Sequence, residues 1–255
     1  MALPYLIMEQ SAGAASREPS GPGAGRRPYR SPRREEQARQ TRSRICAAAA
    51  AQFLDLGYGG ATMRGIAEEA GVAVPTVEAA FGTKARLLKA VIDSATAGDD
   101  APVPMLERAW AARVRAASDA AGAAAEFAGT LTEAAQRTAG LVLAALDAAR
   151  LDPDIAEVAA QLIRQREIMA AWLVDQLTAR SPLRHGVGRD EAIDTVWLLM
   201  DPAVFTRLTS QREWTAARFQ AWFTDTVTRL LLDPGHVPLG PRVGEAGRAG
   251  WRDGQ

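Results

Sequence analysis

Residues 62–81 restrict the fold of this chain more than any other stretch, because they hold a helix start, a helix stop and a second start in close succession. Thr62 stands where a hydroxyl can accept from an otherwise unpaired N–H, opening a short helix over Met63–Ala70. Ile66, Ala67 and Ala70 give that helix a small apolar face. Gly71 then occupies the position where a left-handed residue closes a helix, Val72 is an apolar plug, and Pro75 suits the first turn of a second helix over Val74–Phe81. Val77 and Phe81 are four residues apart and turn inward together, leaving Ala73, Val74, Thr76, Glu78 and Ala80 toward the surface. Two short helices about a glycine turn make a helix-turn-helix.

The flanking sequence keeps the helical period. Ile45, Ala49, Phe53 and Leu56 share one face of a helix expected over 37–56, with Gly57 as its stop. Gly82 ends the second short helix, and Thr83 caps a further one over Lys84–Ala97 with Leu87, Leu88, Val91 and Ile92 inside. Further helices are expected over 105–117, 119–137, 138–150, 153–179, 189–208 and 212–232. Breaks are expected at Asp152-Pro153 and Ser181-Pro182, and a bend at Pro202. Alternating β-branched runs between hairpin turns are missing, so the expected class is all-α, with about nine helices.

Composition narrows the chemistry. With 255 residues and 47% apolar side chains the chain can bury a core. A single cysteine, Cys46, excludes a disulfide framework and a cysteine-built zinc site, and it reads as a small core residue. His185 and His236 lie far apart in loop-like sequence, so no metal or cofactor is expected. An all-α enzyme is a remote alternative, since neither a nucleophile elbow, nor a phosphate-cradling glycine loop, nor a metal-ligand spacing stands out. The 3–8 apolar run is too short for a signal peptide and lacks its basic flank, and no run of 18 apolar residues occurs, so the expected location is the cytoplasm, away from membranes. The zero net charge hides an asymmetry: 13 basic against 9 acidic side chains through Asp93, and 17 against 21 beyond it. Residues 1–37 (Gly, Pro and Arg rich) and 234–255 are expected to be disordered tails.

The stretch FLDLGYGGATMRGIAEEAGVAVPTVEAAFGTKARLLKAVID closely resembles the DNA-binding domain of TetR-family transcriptional regulators. The shared elements are Phe53, Gly57 and Tyr58, Thr62, Ile66 and Ala67, the Ala70-Gly71-Val72 turn, Thr76 and Val77, Phe81, and Lys84 followed by Leu87 and Leu88. The resemblance covers residues 39–98 and implies an N-terminal three-helix helix-turn-helix domain over 38–98, with the motif at 62–81. It also implies a helical ligand-binding and dimerisation domain over 99–233. The second short helix is then the recognition helix, read into the major groove, with phosphate contacts from the caps of its neighbours. Helix starts offer free N–H groups and a positive dipole end, which makes Thr62, Met63 and Arg64 at one start, and Lys84 at the other, candidate phosphate contacts. The family usually carries a tyrosine at Glu78 and often a histidine or tyrosine at Ala80. Without those donors, base reading is expected from Thr76 and from methyl contacts of Ala73, Val74 and Ala79 to thymine, with Glu78 able to accept from a cytosine amine. The eight arginines from Arg26 to Arg44 either grip phosphates by releasing counterions or belong to a solvated tail or to a start codon placed too far upstream.

The segment WLLMDPAVFTRLTSQREWTAARFQAWFTDTVTRLLL is more loosely similar to the last two TetR-like helices, which pair with a second subunit. Val204, Leu208, Phe219, Phe223, Val227 and Leu230 are the expected dimer contacts, their alternative being the subunit's own core. The resemblance also implies a small-molecule pocket, for which Met169, Trp172, Trp197 and Met200 are candidates that suit a hydrophobic ligand. Arg164 and Arg166 are expected to be solvated, or else to meet an acidic group of that ligand. The expected function is therefore a homodimeric repressor that leaves a palindromic double-stranded operator when an effector binds. A ligand-independent DNA-binding protein is the alternative.

Overall fold

A computed structural model describes residues 32–98 and 103–235. Ten α-helices form among them and no strand. The first, α1, spans Pro32–Gly60 and buries Ile45, Ala48, Ala49 and Phe53, a spacing of three and four that turns one stripe inward. It begins before the expected 37–56. Its exposed early turns carry hydrogen bonds from Arg39 and Gln40 to Glu36, and lengthening a helix that already exists costs little compared with starting one. Residues 1–31 and 236–255, which hold most of both expected tails, lie outside the described residues. The expected stop is real: Gly57 has φ 66°, a left-handed backbone that costs glycine nothing, and the chain then turns on to Gly60.

Helices α2 (Met63–Ala70), α3 (Val74–Phe81) and α4 (Lys84–Ala97) begin and end where their punctuation stands. Thr62 Oγ1 accepts from Gly65 N at 3.0 Å. Gly71 sits at φ 64°, and the next N–H, that of Val72, closes back on the Ala67 carbonyl at 3.0 Å, which satisfies an end-of-helix acceptor. Val77, Phe81, Leu87, Leu88, Val91 and Ile92 are buried as expected.

The second half departs from expectation in two places. A short 3-10 turn precedes α5 (Ala109–Ala116), and α6 then runs unbroken over Ala120–Ala148 through the expected boundary at 137/138. Neither residue there is a breaker: Thr138 turns its hydroxyl back to the Ala134 carbonyl at 2.8 Å, while Arg137 reaches across to Ala95 O at 2.7 Å. After α7 (Pro153–Thr178), the expected 189–208 helix is cut rather than bent into α8 (Arg189–Leu199) and α9 (Pro202–Thr206), with a π-turn following to Gln211. Proline has no N–H to continue the ladder, and Asp201 Oδ1 accepts from Ala203 N at 2.8 Å, restarting the helix. The last helix, α10, spans Ala216–Leu231.

Two main cores result. The first joins α1 to α4 and draws in Leu141 and Ala145 of α6 and Ile155 and Val158 of α7. The second surrounds Trp110, Phe127, Leu173 and Phe223, where α5, α6, α7 and α10 meet. Phe219, Phe223 and Val227 do not lie on a free dimer face. They are 0–1% exposed within the subunit, with Phe223 stacked on Phe127 at 6.2 Å and Phe219 edge-on to Phe205 at 4.9 Å. An apolar stripe on a helix cannot tell its own core from a partner's, and here α6 takes it. Val204 and Leu208 are half-buried on a small cluster with Phe205 and Phe219, whereas Leu230 remains 48% exposed. No helix among the described residues is long and apolar enough to cross a membrane.

Candidate nucleic-acid interface

The α3 helix is anchored from below and bare above. Val77 and Phe81 are buried, while Ala73, Thr76, Glu78, Ala79 and Ala80 are exposed and Val74 is half-buried. Its C-terminal end is held by a residue the sequence offered only as part of a charge run. Arg42, on α1, lies 4.1 Å over the Phe81 ring and donates from Nη1 to the Ala80 carbonyl at 3.0 Å. A guanidinium there meets both the ring's negative face and the negative end of the helix dipole.

At the start of α2, Thr62 is exposed and its oxygen is engaged by Gly65 N, which leaves the hydroxyl proton for an outside acceptor. Met63 is half-buried on the first core, and as the first residue of α2 its N–H has no acceptor within the helix. Arg64 is exposed and forms an i,i+4 ion pair with Glu68 at 3.0 Å, a surface contact weak enough to be exchanged for a phosphate.

Lys84 is placed differently from the expected free cation. Its Nζ donates to the Tyr58 carbonyl at 2.8 Å and the Ala61 carbonyl at 3.1 Å, and it lies 4.2 Å from the centre of the Tyr58 ring. Burial holds its pKa below the usual lysine value, with the Asp152 carboxylate opposing that shift. Two of its three protons are thus committed to the protein. At the start of α4 the N–H groups of Lys84 and Ala85 have no acceptor within the helix, whereas Thr83 Oγ1 takes that of Arg86 at 3.3 Å and the Thr83 carbonyl that of Leu87 at 3.0 Å.

The chain beneath this node was not legible as a site. The Tyr58 hydroxyl donates to Asp152 Oδ2 at 3.0 Å across 94 residues, and burial together with that bond raises the Tyr58 pKa well above its ordinary value. No sequence signal pairs residues so far apart.

Residues 45–91 match the family model described as "Bacterial regulatory proteins, tetR family". Its helix-turn-helix region is thus similar to the DNA-binding domain of TetR-family regulators. No curated protein sequence matches it. Among solved structures, NalD of Pseudomonas aeruginosa, the secondary repressor of the MexAB-OprM multidrug efflux pump, is 20% identical with a TM-score of 0.59 over 78% of this chain and 99% of that one. FadR of Bacillus subtilis in complex with stearoyl-CoA is 14% identical, TM-score 0.58, over 74% and 98%. A candidate transcriptional regulator from Saccharomonospora viridis in complex with choline is 16% identical, TM-score 0.56, over 76% and 99%. At these identities the likeness is one of fold.

In the second half, Met169, Trp172, Trp197 and Met200 are all half-buried against the second core. Trp172 stands edge-on to Trp110 at 5.4 Å and 6.4 Å from Phe127. Arg164 is exposed as expected, but Arg166 is not solvated: it is 12% exposed, pairs with Asp201 at 2.8 Å and lies 4.2 Å over the Trp197 ring.

Proposed function

We propose that this chain is a TetR-family regulator, a cytoplasmic homodimeric repressor that reads double-stranded DNA with α3 and leaves it when a small hydrophobic effector binds. The observation that carries the DNA reading is the contrast on α3: two large side chains sunk in the core, and Ala73, Thr76, Glu78, Ala79 and Ala80 held outward on a helix braced at its C-terminal end by Arg42. Thr76 supplies the hydrogen-bonding group for a base edge, the alanine and Val74 methyl groups suit thymine, and Glu78 accepts from a cytosine amine. Thr62, the Met63 N–H and Arg64 on one side, and the opening N–H groups of α4 on the other, take the flanking phosphates. Lys84 serves that second contact by supporting the turn rather than by touching DNA.

Two further parts rest on the same reading. One helix-turn-helix spans few base pairs, so two copies on a palindrome are needed for selectivity, and half-exposed Leu230, 57% exposed Leu198, Val204 and Leu208 offer apolar surface for a second copy. Residues 38–98 form the DNA-reading unit and 99–233 the effector and dimer unit. Met169, Trp172, Trp197 and Met200 supply adaptable and aromatic surface for an apolar effector, in keeping with a structural neighbour solved with stearoyl-CoA.

The test is fluorescence anisotropy of the full chain on duplexes drawn from a random library by repeated selection, with unselected duplex as competitor. Recovery of a palindromic duplex that resists competition is the expected result; failure to enrich any sequence overturns the reading. Release by an effector requires that it prefer the DNA-free dimer, by about 1.4 kcal/mol for each tenfold loss of DNA affinity.

A further inference from the structure

The recognition helix makes its main contacts with α2 and α4. Apart from the Arg42 brace from α1, its pose relative to the rest of the subunit therefore depends on what fixes the α1–α2 junction and the start of α4. Apolar packing does part of this: Ile155 and Val158, in the first turns of α7, share the first core with Phe53, Tyr58 and Leu87. Such packing is non-directional and lets helices slide by fractions of an ångström, whereas a hydrogen bond fixes distance and direction.

One chain of polar contacts supplies that direction. Asp152 caps α7 with Oδ1, accepting from Asp154 N at 2.9 Å, and uses Oδ2 to accept from the Tyr58 hydroxyl. Tyr58 is buried at the α1–α2 junction, its ring stacked 6.0 Å from Phe53. The Tyr58 ring and carbonyl, with the Ala61 carbonyl, receive the Lys84 ammonium from the first residue of α4. Three elements meet at one node, and the residue that ties it to the effector half is Asp152.

We propose that Asp152 is a positioning residue for DNA reading: from the start of α7 it holds, through Tyr58 and Lys84, the junction from which α2 and α4 set the angle of α3. The proposal rests on the DNA-reading function above and adds a residue outside the helix-turn-helix to it. Base-edge contacts demand close alignment, while contacts to a line of phosphates tolerate a small tilt. Loss of the strut therefore costs selectivity and spares non-specific binding.

The test uses the full-length chain and the selected duplex. Tyr58→Phe removes only the hydroxyl. Asp152→Ser keeps a helix-capping oxygen but is too short to reach Tyr58. Affinities for selected and unselected duplex are measured for both variants and for the double variant, well below each one's melting temperature and across a salt series. Each single variant is expected to lose about tenfold in the ratio of selected to unselected affinity at unchanged salt slope. The double variant is expected to be no worse than either, because both changes cut one chain of contacts. An unchanged ratio, whether or not the melting temperature falls, overturns the proposal, as does additive loss or a loss confined to Asp152→Ser. Should Asp152→Ser fail to fold, Tyr58→Phe alone decides. If no duplex is selected by the parent chain, the DNA-reading function itself fails first, so the two failures are separable.

Discussion

Replacing Lys84 by methionine separates a strut from a phosphate-binding cation. The substitution keeps an apolar stem against the Tyr58 ring and removes the ammonium, leaving the Tyr58 and Ala61 carbonyls without their cationic donor. Both residues are buried, so water does not fully replace it. Hydrogen bonds to a charged donor contribute about 1.5–3 kcal/mol each, and the cation over the ring roughly 0.5–1 kcal/mol. Against this stands the cost of holding an ammonium out of water, which its lowered pKa reflects and the variant no longer bears. The net loss is on the order of 2–4 kcal/mol, which for a chain of this size lowers the melting temperature by roughly 5–12 °C. Thermal denaturation followed by circular dichroism measures it, and anisotropy against salt measures the other possibility. Each phosphate-binding cation removed from a subunit flattens the slope of log affinity on log salt by about 0.9. The strut predicts a large drop in melting temperature and an unchanged slope. An unchanged melting temperature with a flattened slope would refute it.

Four other outcomes follow from the same geometry. Arg180 donates to the carbonyls of Val114, Arg115 and Ala117 at the end of α5 as well as to Gln176, so Arg180→Met should cost about 2–4 kcal/mol in chemical denaturation, with Arg180→Lys recovering only part because one ammonium cannot span the carbonyls. Gly71→Ala finds open space, with only Arg44 Nη1 near at 3.9 Å, but inherits φ 64°; a loss of about 1–2 kcal/mol with intact DNA selectivity is expected, and a neutral change would contradict the left-handed turn. The Tyr58 hydroxyl, ahead of the Asp154 and Ile155 N–H groups and the Lys84 charge, holds the Asp152 carboxyl below the usual carboxylate range. A depressed folded-state value contributes stability that is complete above the unfolded pKa and fades as pH falls through the folded one. The gap in urea stability between the parent chain and Tyr58→Phe should accordingly be constant above about pH 5 and narrow in acid. Finally, removing residues 1–31, which carry Arg17, Arg26, Arg27 and Arg30, should flatten the salt slope by up to about 3–4 per subunit; an unchanged slope shows that these arginines do not touch DNA.

The limits of α2, α3 and α4 were legible because local rules set them. Thr62 and Thr83 accept from N–H groups three residues on, Gly71 takes a backbone few other residues tolerate, and Pro75 can stand only in a first turn. The outward residues of α3 were legible for the same reason, since the inward pair Val77 and Phe81 fixes the opposite face. Longer elements were less so. Arg137-Thr138 looked like a boundary, yet α6 passes straight through it, because Thr138 can satisfy its hydroxyl within the helix and Arg137 finds carbonyls on α4.

The sequence by itself determined the all-helical class, the glycine turn between two short helices, and which side of α3 faces outward. Each of these depends on residues within one or two helical turns, where spacing alone decides which groups meet. Tertiary structure alone decided that Phe219, Phe223 and Val227 belong to the subunit's own core, that Arg42 braces the end of α3, and that Lys84 is committed to two carbonyls instead of facing outward. It also brought Asp152 to Tyr58 across 94 residues. A helical stripe records that a face is buried but not what covers it, and a charged side chain shows its reach but not its partner. Both are settled only when separate helices pack against one another and bring distant residues within hydrogen-bonding distance.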